Sequence, residues 1–445
     1  MFYRFRLLTV LQFKIVAAVL LFMANTVPAQ EVRQVIDVAE VWSGHPVGFH
    51  LLSRSNYQYV AFYDAERQMT VGMRPLTSTN WTLTRLPEKI GWDSHNYITF
   101  VMDREGYIHL SGNMHGSPMT YFRSEKPLDI TTLKRAPMVG EEEIKTTYPK
   151  FFNGPAGEFL FTYRSGGSGN GIQIYNIYDP KTRAWKRLLQ QPLIDGEGQK
   201  SAYPQGPSVG PDGFFHMIWI WRETPDCATS HYICYAKSRD LISWETSTGK
   251  KLQLPITFKT GEVVDPVPIK GGAINGNVHL GFDSAKRPII SYHKFDKDGL
   301  TQAYNARLEE GHWKIYQASD WDYRWEFGGG GSIVFEVRIG AVTKRSDGKL
   351  TQTVVHPKNG SGTWLLDDKT LKFTEKVQVK SRVPASLGKV TSSFPGIQVR
   401  QQTDRGNSRY VMRWETLPAN RDRPRQGDLP EPSLLKIYEI APSGE

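Results

Sequence analysis

A unit of apolar strand, tight turn and apolar strand recurs along this chain, and only an architecture that repeats such a unit accommodates it. One copy reads Ser94-His95-Asn96-Tyr97-Ile98-Thr99-Phe100, a turn at Asp103-Arg104-Glu105-Gly106, then Tyr107-Ile108-His109-Leu110-Ser111-Gly112-Asn113-Met114-His115. The next reads Thr147-Tyr148-Pro149-Lys150-Phe151-Phe152, a turn at Gly154-Pro155-Ala156-Gly157, then Phe159-Leu160-Phe161-Thr162-Tyr163-Arg164. β-Branched and aromatic residues fill the runs, and Gly, Pro and Asp break them, which is the pattern of hairpins. Comparable turns fall at Gly210-Pro211-Asp212-Gly213, near residue 284, and at Ser346-Asp347-Gly348. Each unit runs on into one or two more strands. The period is roughly 50 to 70 residues, and seven units are counted.

Four-strand units at this period predict an all-β, seven-bladed β-propeller forming a single domain over residues 35–442. A β-helix needs shorter repeats, and a sandwich does not repeat its internal motif. No long 3.6-residue periodicity interrupts the pattern. Aromatic residues at 12% and 40 glycines agree with a chain rich in strands and turns. Residues 31–45 read as a lead-in, and Ser332–Val337 reads as the first strand of the sixth unit.

Arg4, Arg6 and Lys14 precede an apolar run from Ile15 to Met23, and Val27-Pro28-Ala29 supplies small residues for cleavage. The run is shorter than the about 20 residues that span a bilayer, so residues 1–29 are expected to be a signal peptide rather than an anchor. The expected location is secreted or periplasmic. The formal charge is +10; removing the three cations of the leader leaves +7. A basic secreted chain attracts polyanions. No block of like charge suggests a nucleic-acid arm. The two cysteines, Cys227 and Cys234, flank His231. They could form a disulfide, remain free thiols, or join His231 and a fourth ligand such as His216 around a structural zinc.

In a hairpin the start of the first strand lies beside the end of the second. His95 is therefore expected beside His115, and Tyr148 near Arg164. If the two hairpins are neighbours, two imidazoles, a phenol and a guanidinium share one rim. Asn96, Asn113, Arg222 and His293 are expected on the same rim as substrate-binding residues, whereas His109, in mid-strand, reads as structural. Cations and flat rings at a channel mouth suit an acidic sugar.

The segments Val41-Trp42-Ser43-Gly44-His45-Pro46-Val47-Gly48-Phe49, Ser94-His95-Asn96-Tyr97, Gly106-Tyr107-Ile108-His109-Leu110-Ser111-Gly112-Asn113 and Trp221-Arg222-Glu223-Thr224-Pro225 resemble BNR-repeat proteins of polysaccharide-degrading bacteria. Within that group the chain looks most like the seven-bladed ulvan lyases of polysaccharide lyase family 25, with family 24 as a relative. Those enzymes carry two histidines about twenty residues apart, then a tyrosine and an arginine about sixteen apart. His95 and His115, and Tyr148 and Arg164, have the same separations. The resemblance implies a monomeric lyase that cuts a sulfated rhamnose–uronate polysaccharide by β-elimination and needs no cofactor for chemistry. It implies catalytic roles for all four residues. Arg164 would neutralise the uronate carboxylate and Tyr148 would act as acid, with base work also open to it. One histidine would act as base and the other as a carboxylate or hydroxyl partner; the residues alone leave that division open. A related rhamnosidase family uses a histidine that His45 resembles, so hydrolysis of rhamnose–glucuronate linkages is the second expectation. A non-catalytic glycan-binding propeller is the third. Sialidases are set aside, because clear Ser-x-Asp-x-Gly-x-x-Trp boxes and an arginine triad are missing.

Overall fold

Turn chemistry sets the architecture. In the Asp103–Gly106 turn, Asp103 Oδ1 accepts hydrogen bonds from the amides of Glu105 at 3.0 Å and Tyr107 at 2.8 Å. Asp64 does the same for Glu66 and Gln68, and Asp283 for Ala285 and Arg287. Each carboxylate thus closes a loop between two strands by satisfying amides that the ladder leaves unpaired. Gly106 and Gly213 hold φ of +88° and +81°, a conformation that side chains disfavour.

The computed structural model describes residues 31–379 and 381–441; the expected signal peptide lies outside them. The described strands form seven antiparallel sheets. The first contains His50–Arg54, Tyr57–Tyr63, Gln68–Pro75 and Thr82–Lys89. The second contains Ile98–Met102, Ile108–Gly112, Tyr121–Ser124 and Leu133–Arg135. The third is built on Thr146–Asn153, Phe159–Gly167 and Asn170–Asp179, and the fourth on Ser201–Val209, Phe215–Arg222 and Ser230–Ser238. The fifth follows from His279–Phe282 and the sixth from Arg338–Lys344. In the seventh, Gln398–Thr403, Tyr410–Thr416 and Ser433–Ile440 are joined by Val32–Val41.

Two expectations change here. The lead-in contains a ten-residue strand that pairs with the last strand of the chain, Val41 opposite Ser433 and Val32 opposite Ile440. Two register shifts break its alternation, which hid it as a strand. Ser332–Val337 carries no ladder; the strand begins at Arg338, and Phe335 lines a pocket instead.

The core lies between consecutive sheets. Phe49 stacks on Trp414 of the seventh sheet at 4.6 Å, and Tyr59 meets Phe100 of the second at 5.9 Å. Leu160 and Tyr175 of the third sheet cluster with Met217 and Trp219 of the fourth. Tyr235 meets Trp313 of the fifth at 5.1 Å, and Ile289 packs with Val342 of the sixth. Among the described residues no helix is long and apolar enough to cross a membrane.

His109 and His216 belong to this frame. His109 bonds the Tyr121 hydroxyl at 2.7 Å and Asp103 at 3.2 Å, and His216 bonds the Tyr235 hydroxyl at 2.6 Å and Asp212 at 2.9 Å. Both rings are buried, spend both nitrogens on the scaffold, and pin a turn aspartate to the third strand of their sheet. His216 is therefore not a zinc ligand.

Candidate active site

A short strand, His115–Ser117, leaves the second sheet and pairs with the third, Thr147 opposite His115. It ties the two look-alike hairpins together. Thr147 Oγ1 accepts from the Gly116 amide at 2.9 Å and from Arg164 Nη2 at 3.3 Å. Just beyond, the ladder to Phe159–Gly167 skips between Thr147 and Lys150, and Tyr148 takes φ of +61°. A left-handed tyrosine in a bulge is a strained position that the surrounding pairing must hold, and such strain concentrates at functional sites.

The expected quartet meets here. The His95 and His115 rings stack with centroids 4.3 Å apart, and the Tyr148 ring lies 5.9 Å from one and 6.1 Å from the other. The Arg164 guanidinium sits over the Tyr148 ring at 5.1 Å. Arg164 is only 3% exposed, and its Nε and Nη1 have no hydrogen-bond partner among the described residues. Leaving one buried polar group unpaired costs about 1–3 kcal/mol, and more for a charged one, so a guanidinium with two unpaired nitrogens is poised to take an acceptor from outside.

Three further residues complete the site. Asp93 bonds His95 Nδ1 at 2.9 Å and also bonds His115 Nδ1. Asp422, from the far end of the chain, reaches His95 Nδ1 at 3.2 Å and accepts from the Ser94 amide at 3.0 Å. Burial opposes a charge on His95, but the hydrogen bonds to Asp422 and Asp93 outweigh it and raise the imidazole to about 9. Burial would raise Asp93 as well, yet its bonds to His115 and His95 hold the carboxyl well below the usual range. Tyr203, from the fourth sheet, faces Tyr148 at 6.1 Å between centroids. Arg164 and Arg222 lie over its ring at 5.4 Å and 5.1 Å, and its hydroxyl bonds Ser168 at 2.5 Å.

The two phenols are driven apart. Burial, reinforced by Tyr203, pushes Tyr148 up despite the two guanidiniums. Burial acts on Tyr203 too, but Arg164 and Arg222, with the Ser168 hydrogen bond, overcome it and bring that phenol below its ordinary value. Asp93, Asp422 and Tyr203 escaped the sequence reading. Asp93 has a local signal, standing two residues before His95 with an Asx bond of 2.8 Å to its amide; the other two have none.

The surface over these groups is a cleft of two adjoining pockets, about 500 and 270 Å³, sharing His95, Tyr148, Tyr203, Asn275 and Phe335. Arg222 lines the smaller one and donates to Asn275 at 3.4 Å. An extended ligand could lie across the tyrosine pair with units on both sides.

Other expected residues fall outside this cluster. Asn96 lies beside it, but its main chain serves the frame, accepting from the Tyr63 hydroxyl at 2.7 Å. Asn113 donates instead to Glu88 at 2.8 Å and to the Lys89 carbonyl, at a left-handed turn position. His293 is buried beside Trp325 at 5.2 Å between rings, burial lowers it to about 3, and it lines neither pocket of the cleft. His45 is 1% exposed, accepts from the Trp42 indole at 2.8 Å and is lowered by burial to about 4. Cys227, His231 and Cys234 do not converge: both thiols are free, Cys234 packs with Trp219 and Trp221, Cys227 packs with Ile274 and Trp325, and His231 Nε2 meets Glu223 at 2.7 Å. The disulfide expectation is not met, because the two free thiols lie in separate clusters. Among the described residues, ligand atoms converge at Asp93, His95 and His115, within 4.8 Å of one another; the Nδ1–carboxylate bonds already occupy that set.

Comparison with known proteins agrees with this architecture. A family model described as BNR repeat-containing family member matches residues 57–321, more than half of the chain. A solved PL25 ulvan lyase shares 14% identity, with 92% of this chain and 96% of that chain aligned at a TM-score of 0.58; it is also known bound to -[GlcA(1-4)Rha3S]-. The polysaccharide lyase Uly1 aligns over 92% of this chain and 99% of its own at 13% identity and a TM-score of 0.58. These likenesses show a shared all-β fold. The short isoform of ulvan lyase from Alteromonas sp. (strain LOR) is 38% identical over 60 residues, 14% of this chain and 11% of that protein. The long isoform from Glaciecola sp. (strain KUL10) is 39% identical over 46 residues, 10% of this chain and 5% of that one.

Proposed function

We propose that this chain, which belongs to the BNR repeat-containing family, is a secreted polysaccharide lyase that cleaves an anionic rhamnose–uronate polymer of the ulvan type by β-elimination. Its seven sheets are the blades of a propeller spanning residues 35–442 together with the strand at Val32–Val41, and residues 1–29 are its export signal. One observation carries the reading: two tyrosines with oppositely shifted phenols share a buried guanidinium, two of whose nitrogens are unpaired, beside a charged histidine.

Elimination removes the proton at C5 of the uronate, which lies next to a carboxylate. The negative charge that develops must be neutralised, and this is commonly the largest contribution to such catalysis. Arg164 and Arg222 supply two guanidiniums, and His95, held as imidazolium, adds a third positive group. Tyr203, whose phenol ionises more readily, takes the C5 proton. The electrons of the C5–H bond form the C4–C5 double bond, and the C4–O bond breaks. Tyr148, kept protonated, delivers its proton to the departing oxygen. Environments that push paired titratable groups apart assign base and acid in this way. His95 cannot be the base while Asp93 and Asp422 hold its proton; His115, anchored through Nδ1 to Asp93, is left as a hydroxyl partner.

Incubation with ulvan tests the reading. Rising near-ultraviolet absorbance from a double bond conjugated to the uronate carboxylate, with shortening chains, is expected. Free rhamnose without that absorbance would indicate a rhamnosidase; His45, the histidine on which that reading rests, is buried and accepts through Nδ1 from the Trp42 indole. Binding without any product would leave a glycan-binding propeller.

A further inference from the structure

We propose that the groove between the segment 318–321 and the outer strands of the sixth sheet, Gly360–Leu366 and Phe373–Val377, is a second saccharide-binding site for sugars that carry acid groups, separate from the catalytic cleft. Its volume is about 520 Å³, and it shares no wall residue with either pocket of that cleft. A cavity of this size lies within the roughly 300–1,000 Å³ of ordinary ligand sites.

The wall of the groove holds a buried polar atom without a partner among the described residues, His356 Nε2. His356 ends the second strand of the sixth sheet and is 2% exposed. Its Nδ1 accepts from the amides of Lys358 at 3.2 Å and Asn359 at 3.1 Å. With Nδ1 accepting, the ring proton sits on Nε2. Nε2 is buried and has no partner among the described residues. Burial also lowers the imidazole, keeping it neutral. The groove therefore presents one N–H donor that awaits an acceptor, the same signature that marks Arg164 in the catalytic site.

The surroundings define what supplies the acceptor. The Trp321 ring lies tilted against the His356 ring, 4.4 Å between centroids, and stacks on Phe373 at 6.1 Å, and the Trp321 and Phe373 rings are partly exposed. The Trp321 backbone is held at both ends by buried Gln302, whose Oε1 accepts from its amide and whose Nε2 donates to its carbonyl, each at 2.9 Å. The platform is thus fixed before a ligand arrives. Trp364 forms a second partly exposed ring, with Lys376 Nζ 5.3 Å from its centroid. Lys372 and Lys376 are exposed in the lining, which also holds the carboxylate of Asp320, while Asp322 nearby is paired with Lys358. Flat rings receive the apolar face of a pyranose, a buried N–H fixes a hydroxyl or acid oxygen, and two ammonium groups select an acidic sugar over a neutral one. A second site on the same polymer would raise the effective concentration of chain at the cleft. Only the choice of polymer rests on the proposed function.

Titration of the labelled protein with oligosaccharides of the GlcA(1-4)Rha3S repeat tests this, reading the His356 Nε2–H resonance, with maltohexaose and inorganic sulfate as controls. The acidic oligosaccharide is expected to shift that resonance and the neutral one is not. A shift with sulfate alone would reduce the site to an anion contact and overturn the proposal. In Trp321→Ala, and in the doubly exchanged Lys372→Glu, Lys376→Glu protein, which alters exposed side chains only, affinity for long polymer should fall several-fold while turnover of short oligosaccharides is kept. Unchanged long-chain affinity and an unmoved resonance would overturn the site whatever the catalytic result. A moved resonance with no turnover would overturn the lyase reading and leave this site standing.

Discussion

Tyr148 and Tyr203 stand 6.1 Å apart between ring centroids, and the fold gives their phenols opposite tendencies to ionise. If Tyr203 is base and Tyr148 acid, the two phenylalanine variants fail differently. Each should lose about 10²–10⁴-fold in kcat/KM. Tyr148→Phe should recover on a synthetic uronate bearing an aryl leaving group at C4, since such a group departs without a proton. Tyr203→Phe should not recover, because proton removal is still required. Equal rescue of both variants would sink the assignment.

The charge on His95 has its own pH signature. Its folded value is raised from 6.5 to about 9 by Asp422 and Asp93 against the effect of burial. The stability from these pairs is therefore complete below 6.5 and is lost as the pH rises through about 9. Activity that needs the imidazolium should decline over the same range. In Asp422→Asn one partner is gone, so the alkaline limb of kcat/KM should move to lower pH, followed directly by titration of the His95 ring resonances. An alkaline limb that stays in place would show that His95 is not the group that titrates.

Much of this arrangement is legible in one dimension because hairpins carry their register. Ile98 pairs with Gly112, and continuing that register places His95 opposite His115. Thr147 pairs with Arg164, which puts Tyr148 beside the same arginine. Contacts between distant elements leave no such trace. Asp422 lies 328 residues from Ser94, whose amide it accepts, and nothing in its neighbourhood signals a partner. Tyr203 is one of 20 tyrosines, and it is distinguished only by two arginines that the fold delivers from neighbouring strands. The Cys-x3-His-x2-Cys spacing misled because spacing says nothing about which cluster each side chain joins; Cys227 and Cys234 enter different ones.

Arg164 should trade stability against function. Its Nε and Nη1 are buried without partners, so the free protein bears the cost of a desolvated cation. Arg164→Met fills similar space without charge. Turnover should fall by at least about 10²-fold, the scale of removing one group that stabilises transition-state charge. The melting temperature should hold or rise, as happens when an unsatisfied functional group is replaced by an apolar one. A variant that loses stability along with activity would show that the guanidinium is structural.

The strand at Val32–Val41 makes the most direct test of how the sheets are closed. It lies antiparallel to Ser433–Ile440, the last strand of the chain, so the seventh sheet is assembled from both ends of the described sequence. Ile36 sits opposite Ile437, and both are buried in the cluster that also holds Phe49, Tyr59 and Trp414. Truncating such a side chain costs about 2–5 kcal/mol when the cavity cannot collapse. Ile36→Ala should therefore lower the denaturant midpoint with an unchanged slope, whereas Val35→Ala, one residue away and 46% exposed, should change it little. Equal effects at the two positions would mean that residues 32–41 are the lead-in that their irregular alternation suggests, and that the seventh sheet is held together elsewhere.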